Sequence, residues 1–231
     1  MKYLIPPSEG KSKVSSTNII FSDTNFKFEN HVNQVVRLLS LIEDEDLNSV
    51  YGTSEEKAMI FHRQNQDIFN SKCAHAIDRY TGVVYEHLKW DTLNETAQNF
   101  LEKYIYIFSG LFGIVTPKTM IPDYKLKMNV LSLQYHWNPI LTEELKKEDL
   151  IIDLLPQVHR KAYTPGKNVI PIDFQVIKKG KKSAAGHFGK AVKGQFIRYI
   201  AKNKIKNIDD FSGFEYSGFK WDGKAFVKEN N

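Results

Sequence analysis

The chain has 231 residues, 42% of them hydrophobic, and a formal net charge of +5 at pH 7. This length allows one large domain with a substantial buried core. No apolar run approaches the ~20 residues that span a bilayer. Pro6 and Pro7 break the start too early for a signal peptide, so we expect a cytoplasmic protein with no membrane partner. One cysteine, Cys73, excludes an internal disulfide and a multi-cysteine zinc site.

The positive charge is concentrated in one segment. From Arg160 to Lys206 there are thirteen Lys or Arg and one acid, Asp173, so the segment carries +12 and the remainder −7. This polarity predicts a basic surface directed at a polyanion, of which nucleic acid is the commonest.

The first predicted element is a strand over residues 2–5, followed by two prolines and a loop that contains Gly10 and Lys11. A strand that feeds such a loop commonly places a site at its carboxyl end. Lys11 is therefore a candidate for phosphate binding and for catalysis. The segment is not a P-loop, because the upstream glycine of that motif would fall at Ile5.

Three helices are predicted next, over residues 25–41, over residues 44–51 and over residues 55–69. The last two are joined by a tight turn at Gly52 and Thr53. The pair over residues 44–69 has the outline of a helix-hairpin-helix element, whose turn amides would receive DNA phosphate. A plain corner between two helices is the alternative.

The middle of the chain predicts alternating helices and strands. They are a helix at 93–103, a strand at 104–108, a glycine-containing loop at 109–115, a helix at 139–147 and a strand at 150–155. Asp153 lies inside the last apolar strand, so it is either a paired structural charge or a catalytic residue.

A strand is predicted over residues 169–177 and a hairpin tip over residues 178–182, with a return strand to Phe188. A glycine-bracketed turn and a basic helix then follow. At 100° per residue the helix places its cations on one arc and its apolar groups on another. Free amides near the glycines favour an anion, phosphate above all. The phosphate-binding candidates here are His187, Lys190, Lys193, Gly194 and Arg198, with His187 and Lys190 also catalytic candidates. A solvated basic face is the alternative.

The aromatic tail from Phe211 to Phe226 would either clasp a terminal strand to the body or stack nucleic-acid bases. We expect a single domain over residues 1–231 of α+β (mixed α/β) class, with a central, largely buried mixed sheet flanked by helices. The seven histidines show no metal-ligand spacing, so neither a metal nor a cofactor is expected.

Five motifs stand out along the chain: Ile5-Pro6-Pro7-Ser8-Glu9-Gly10-Lys11, Tyr80-Thr81-Gly82, Phe108-Ser109-Gly110-Leu111-Phe112-Gly113 with Pro117, Ile121-Pro122-Asp123-Tyr124-Lys125-Leu126, and His187-Phe188-Gly189-Lys190-Ala191-Val192-Lys193-Gly194. They occur in the order seen in the YaaA peroxide-resistance family, which the chain resembles over nearly its whole length.

The resemblance implies a bacterial protein linked to oxidative stress, DNA protection, recombinational repair and the limitation of free iron. It also implies a DNA binder with a positive cleft and a helix-hairpin-helix. When the family's cleft residues are matched to this sequence, the resemblance implies that the cleft cations are Lys190, Lys193 and Arg198, with Lys11 at the first loop. The hairpin turn is Tyr51-Gly52-Thr53, and Lys125 stands where many relatives have arginine.

Two hypotheses follow. In the first, the protein binds DNA without strong sequence preference through phosphate contacts. In the second, the glycine-rich loops form a catalytic pocket for a nucleotide-like or nucleobase-like molecule. A small phosphate-like ligand is then a possible partner. The candidate catalytic residues are Lys11, Asp153, His187 and Lys190.

Overall fold

A computed structural model describes residues 1–14 and 17–230. The strands among these residues are β1 (Lys2–Ile5), β2 (Ala74–His75), β3 (Ile105–Ser109), β4 (Gly113–Val115), β5 (Met120–Ile121), β6 (Ile151–Asp153), β7 (Val169–Pro171), β8 (Phe174–Lys178), β9 (Lys181–Ala184), β10 (Glu215–Tyr216), β11 (Phe219–Trp221) and β12 (Phe226–Asn230). The α-helices are α1 (Glu29–Leu39), α2 (Leu47–Tyr51), α3 (Glu55–Gln66), α4 (Ala76–Arg79), α5 (Val83–Leu88), α6 (Glu95–Tyr104), α7 (Leu133–Leu145), α8 (Gln157–Arg160) and α9 (Gly186–Asn203). Short 3-10 helices lie at Phe21–Asp23, Asp44–Asp46, Ile68–Asn70, Trp90–Thr92 and Ile208–Gly213.

The central sheet has the strand order β4-β3-β1-β6-β7. β1 is parallel to β3 and β6, β6 is parallel to β7, and β3 and β4 are antiparallel. This confirms the expected mixed sheet. β1 is buried, with Tyr3 and Leu4 at 0% exposure. In this sheet the chain runs from β1 outward to β3 and β4, and then crosses to the other side of β1 to form β6 and β7. The carboxyl end of β1 is therefore a topological switch point, where open α/β sheets bind ligands.

The second sheet has the order β10-β11-β12-β8-β9. The single strand predicted over residues 169–177 is wrong, because the chain divides into β7 in the central sheet and β8 in the second. Two main-chain hydrogen bonds fix the point where the chain passes from one sheet to the other. Ile172 N–H donates to the Asp153 carbonyl in β6 at 2.9 Å, and Phe226 N–H in β12 donates to the Asp173 carbonyl at 2.9 Å. The predicted lysine-rich hairpin is confirmed by the antiparallel pairing of β8 and β9. The predicted return strand to Phe188 is too long, because β9 ends at Ala184 and α9 begins at Gly186.

Helix α7 begins at Leu133 and contains Pro139, so the predicted start at residue 139 is wrong. An interior proline costs a helix about 3 kcal/mol. Burial offsets this cost: Leu133 and Trp137 are fully buried, and Trp137 Nε1 donates to the Gly110 carbonyl at 2.9 Å.

Helices α2 and α3 form the expected pair joined at Gly52, which adopts a left-handed conformation with φ of 61°. Helix α3 ends at Gln66, and the last predicted turn is a separate 3-10 helix, Ile68–Asn70. We call the segment 47–66 the helical hairpin.

Helix α9 begins at Gly186, earlier than predicted, so Gly189 lies inside the helix rather than in a turn. A Cβ at Gly189 would lie 3.4 Å from the Phe174 Cβ, and one at Gly194 would lie 2.3 Å from the Val84 carbonyl oxygen in α5. Gly194 therefore allows close packing of α9 on α5, whereas a Cβ at Gly189 would make only an ordinary contact with Phe174 in β8.

The aromatic tail packs inside the protein. Phe211, Phe219 and Phe226 have 0% exposure, and the Phe196 ring of α9 contacts Phe211 and Phe226 at centroid distances of 4.9 and 4.7 Å. The clasping role holds for these rings, since buried faces are closed to nucleic-acid bases. Within residues 1–14 and 17–230, no helix is both long and apolar enough to cross a membrane.

The contact between α9 and α5 generates a prediction. Gly194→Ala forces the helices apart, because its Cβ would overlap the Val84 carbonyl. We expect a loss of about 1–3 kcal/mol in the free energy of unfolding, measured by urea denaturation. The control Lys190→Ala, on the exposed side of the same helix, changes it by less than about 0.5 kcal/mol. A Gly194→Ala protein as stable as the control would contradict the packing role.

Candidate functional site

A cleft of about 610 Å³ opens at the carboxyl ends of β1 and β6. Its walls are the loop after β1, the turn before α5, the loop after β6, and the first two turns of α9. The lining side chains that carry charge or a polar group are Ser8, Glu9, Thr81, Tyr85, His159, Asp173, Lys190 and Lys193. Apolar walls come from Pro6, Pro7, Val84, Leu155, Ile172 and Phe174.

The loop after β1 is held in place by hydrogen bonds to residues 79–85. The Tyr85 hydroxyl donates to the Pro6 carbonyl at 2.8 Å. Thr81 N–H donates to the Gly10 carbonyl at 3.2 Å, and Ser12 N–H donates to the Arg79 carbonyl at 2.8 Å. These bonds explain why Tyr80-Thr81-Gly82 belongs with the first loop, although seventy residues separate them in the chain.

Lys193 and Lys190 bring the basic helix into the cleft. Lys193 is partly buried, and its Nζ donates to the Leu154 carbonyl. Burial lowers the pKa of Lys193 to about 8; Asp153 opposes this shift and Arg160 adds to it. Lys190 lies one helical turn earlier, lines the same cleft and is exposed. An anion in the cleft would gain one desolvated ammonium and one solvated ammonium.

Asp153 is buried beneath the cleft and fully paired. Its carboxylate accepts from Leu155 N–H at 2.7 Å, from Arg160 Nε at 2.9 Å and from the Tyr163 hydroxyl at 2.7 Å. Arg160 also contacts Asp173 at 3.1 Å, which links the buried carboxylate to the cleft wall. This network gives Asp153 the surroundings of a structural charge that also orients Arg160.

His159 is a cleft residue that the sequence did not single out. Its Nδ1 is buried without a hydrogen-bond partner among the described residues. Burial, and secondarily the charge of Lys193, lowers the pKa of His159 to about 4, so the ring is neutral at pH 7. The available signal was its position six residues beyond β6, in a strand-end loop.

Beyond His159 lies a second depression of about 100 Å³, which we call the Lys11 chamber. The residues that line both the cleft and the chamber are Pro7, Ser8, Glu9, Val158 and His159. Lys11 Nζ donates to the Ser8 carbonyl at 3.2 Å and lies 4.0 Å from the centroid of the Tyr124 ring. Burial lowers the pKa of Lys11 to about 7.

The rim of the chamber carries two more lysines, held by one carboxylate. Glu9 contacts Lys127 Nζ at 3.2 Å and Lys125 Nζ at 3.8 Å. The side chain of Asn65 on α3 donates to the Lys125 carbonyl at 2.8 Å and accepts from Lys125 N–H at 3.2 Å. A Cβ at Gly52 would lie 4.0 Å from Lys127 Nζ. The helical hairpin is therefore fastened to the rim, with Gly52 beside Lys127.

The remaining predicted residues lie elsewhere. The Arg198 guanidinium donates to the Leu88 and Lys89 carbonyls at 3.0 Å each, at the end of α5. Gly194 faces α5, as described above, and His187 is exposed but does not line the cleft. Thr53 is partly exposed next to Gly52.

The glycine loop after β3 also serves packing. Ser109 Oγ accepts from Phe112 N–H at 2.9 Å and bonds to the Tyr124 hydroxyl at 2.8 Å. A Cβ at Gly110 would lie 2.7 Å from the Leu126 carbonyl oxygen. The loop therefore fixes the segment that carries Lys125 and Lys127. Across residues 1–14 and 17–230, no three His, Cys, Asp or Glu side chains are grouped closely enough to hold a metal ion.

Comparison with known proteins places this site in context. A family model described as "Peroxide stress protein YaaA" matches residues 1–225. An uncharacterized protein of Campylobacter jejuni is 30% identical over 224 residues, which is 90% of this chain and 87% of the relative. UPF0246 proteins of Streptococcus pneumoniae and Rickettsia felis are each 26% identical, over 84% and 87% of this chain and 88% and 90% of their own lengths.

The desolvated ammonium of Lys193 generates a pH prediction. Above about pH 8 the folded chain releases this proton, whereas an unfolded lysine keeps it to about pH 10.4. The unfolded state then binds more protons, so stability rises with pH by up to about 1.4 kcal/mol per unit between these values. Urea denaturation at pH 7.5, 8.5 and 9.5 measures this rise in the free energy of unfolding. The Lys193→Met protein lacks the contribution, so its free energy of unfolding should rise less with pH than that of the wild type. An equal rise in both proteins would refute the prediction.

Proposed function

The chain belongs to the YaaA family of peroxide stress proteins, and from this premise we propose that it protects DNA by binding duplex or branched DNA through phosphate contacts. The contact surface is the cleft, the Lys11 chamber and the helical hairpin. Binding of this kind reads backbone charge and shape rather than base sequence.

One observation supports this proposal above the others: lysines from three distant parts of the chain gather on connected depressions. Lys190 and Lys193 line the cleft, and Lys11, Lys125 and Lys127 line the chamber. The two depressions share five lining residues. Gly52 lies beside Lys127, so the turn of the helical hairpin adjoins this row of lysines. Such a row suits the repeated negative charge of a nucleic-acid backbone.

The α9 helix adds a second attraction for phosphate. Its first turn borders the cleft at Gly186 and Gly189, and the helix makes its first main-chain bond from Gly189 N–H to the Ala185 carbonyl at 3.3 Å, so the amides of Gly186, His187 and Phe188 have no partner inside the helix. Helix N-termini favour anions through these amides and the helix dipole. The Asp173 carboxylate on the opposite wall is held by Arg160, which offsets its repulsion of phosphate.

The family's association with peroxide does not point to thiol chemistry in this chain. Cys73 is fully buried, and burial raises its pKa to about 11. A reactive cysteine needs an accessible thiolate. We therefore infer that the protein acts in peroxide stress through its ligand in the cytoplasm, by shielding DNA, rather than as a cysteine sensor.

Salt titration tests the DNA proposal. The logarithm of affinity for a mixed-sequence duplex should fall linearly with the logarithm of salt concentration, with a slope of roughly −0.9 per phosphate neutralised. Replacing both Lys190 and Lys193 by Ala should make the slope less steep by about 1–2. Fluorescence anisotropy from 50 to 300 mM salt measures the change.

The matched control replaces Lys146 and Lys147, which pair with Glu143 and Glu144 near the amino-terminal end of β1. It removes the same charge from the opposite edge of the central sheet. The control should keep the wild-type slope. If both double variants flatten the slope equally, or neither does, the cleft is not the DNA surface.

A second candidate function rests on the cleft volume. About 610 Å³ with apolar walls and two lysines suits one nucleotide-like molecule, with its phosphate at Lys190 and Lys193. In this function the protein is an enzyme acting on a nucleotide or nucleobase, and DNA binding is secondary. Of the four predicted catalytic candidates, Lys190 lines the cleft and Lys11 lies in the adjoining chamber, whereas Asp153 is paired beneath the cleft and His187 does not line it.

Thermal unfolding tests whether the cleft binds a nucleotide-like ligand. A nucleotide that binds the folded protein at a hundred times its Kd should add about 2.7 kcal/mol of stability and raise the melting temperature. The shift should disappear in the Lys190→Ala, Lys193→Ala double variant and persist in the Lys146→Ala, Lys147→Ala control. No shift across a panel of nucleotides and nucleobases would reject this function.

A further inference from the structure

Lys11 differs in its surroundings from the surface lysines of the chain. Its Nζ lies 4.0 Å from the Tyr124 ring centroid and 5.5 Å from the Tyr80 ring centroid. Among the described residues, no carboxylate lies within 4.0 Å of it, and its hydrogen bond goes to the neutral Ser8 carbonyl. The faces of these rings attract a charged amine, but burial without an ion-pair partner disfavours the charge, and burial is the larger effect.

The position of Lys11 is also fixed. The residue forms an antiparallel bridge with Tyr80, and the neighbouring Ser12 N–H bonds to the Arg79 carbonyl at 2.8 Å. Below it, the Tyr124 hydroxyl bonds to the hydroxyls of Tyr80 and Ser109 at 2.8 Å each. These contacts fix the main chain and the tyrosine rings, and the hydrogen bond to the Ser8 carbonyl holds the amine at the wall of the chamber.

The charged groups around Lys11 act in both directions. Asp123 and Glu9 raise its pKa and Lys125 lowers it, but burial is the largest influence, and the pKa is about 7. Lys11 therefore loses its proton far more readily than an ordinary lysine and can supply a neutral, nucleophilic amine. Desolvated lysines of this kind react with carbonyl groups to form imines.

The chamber limits what can reach the amine. Its volume of about 100 Å³ equals only a few water molecules at ~30 Å³ each, which admits a carbonyl group and the adjoining carbons but not a whole nucleotide. Lys125 and Lys127 stand at the rim with the Glu9 carboxylate between them. An anionic group of the ligand would take the place of that carboxylate, and phosphate fits two flanking ammonium groups.

We propose that Lys11 captures the aldehyde carbon of a sugar phosphate as a covalent imine, with the phosphate held by Lys125 and Lys127. The Nζ lone pair attacks the carbonyl carbon and a carbon–nitrogen bond forms. The carbonyl oxygen then leaves as water with the two protons that Nζ loses, so no oxidant or reductant is consumed.

Two sources carry this chemistry, a free sugar phosphate and the open-chain deoxyribose of an abasic site in DNA. The activity goes beyond the DNA-shielding function, since the free sugar needs no duplex binding. The experiment has one arm for each: deoxyribose 5-phosphate, and a duplex with a single abasic site. Sodium cyanoborohydride reduces an imine to a stable amine, and intact-protein mass spectrometry detects the adduct.

We expect one adduct per wild-type molecule in at least one arm at pH 7, with peptide mass mapping placing it on Lys11. Lys11→Arg keeps a cation but cannot form the imine, so the adduct should fall at least tenfold. Lys13→Arg, at an exposed lysine two residues away, should retain the wild-type yield. Melting temperatures show whether each variant is folded.

Adduct in the abasic arm alone identifies DNA as the source, and adduct with the free sugar alone identifies a metabolite; either supports the proposal. Three results overturn it: no adduct in either arm, an adduct mapped to other lysines, or an equal yield in Lys11→Arg. If Lys11→Arg does not fold, the peptide map of the trapped wild-type protein decides. Binding of an undamaged duplex is measured in parallel. If the duplex binds but no adduct forms, the imine proposal fails and the DNA proposal does not.

Discussion

The parallel pairing of β1 with both β3 and β6 is the constraint on which the site depends. Main-chain hydrogen bonds fix the register, with Leu4 opposite Tyr106 in β3 and Asp153 in β6. Because parallel strands end on the same side, the loop with Ser8 to Lys11 and the loop with His159 are forced together. Moving either strand by one residue would turn buried side chains outward and separate these loops.

Helix α9 completes the site because it packs on two neighbours at once. Gly194 allows close contact with α5, and Phe196 packs among the rings of the tail. With the helix held this way, the Lys193 side chain lines the cleft, and burial there lowers its pKa. The stability of the aromatic core and the charge of the cleft are therefore coupled through one helix.

Much of this arrangement was predictable from local sequence. The strand over residues 2–5, the helices joined at Gly52 and the lysine hairpin all follow from short-range patterns. The motif order indicated which loops matter. Long-range packing caused the errors: burial of Trp137 carries α7 through Pro139, and hydrogen bonds at Ile172 divide one predicted strand between two sheets. The roles of Arg198 and His159 depend on α5 and on the chamber, which no local pattern reveals.

We propose that the cleft, the Lys11 chamber and the helical hairpin form one phosphate-binding surface, and amide hydrogen exchange with and without a short duplex is the decisive measurement. On addition of the duplex we expect slower exchange in three separate segments: the loop at 8–12, the turn at 52–54 and the start of α9 at 186–190. Protection confined to the β8–β9 hairpin tip, or found only at the amino-terminal edge of the central sheet, would contradict it.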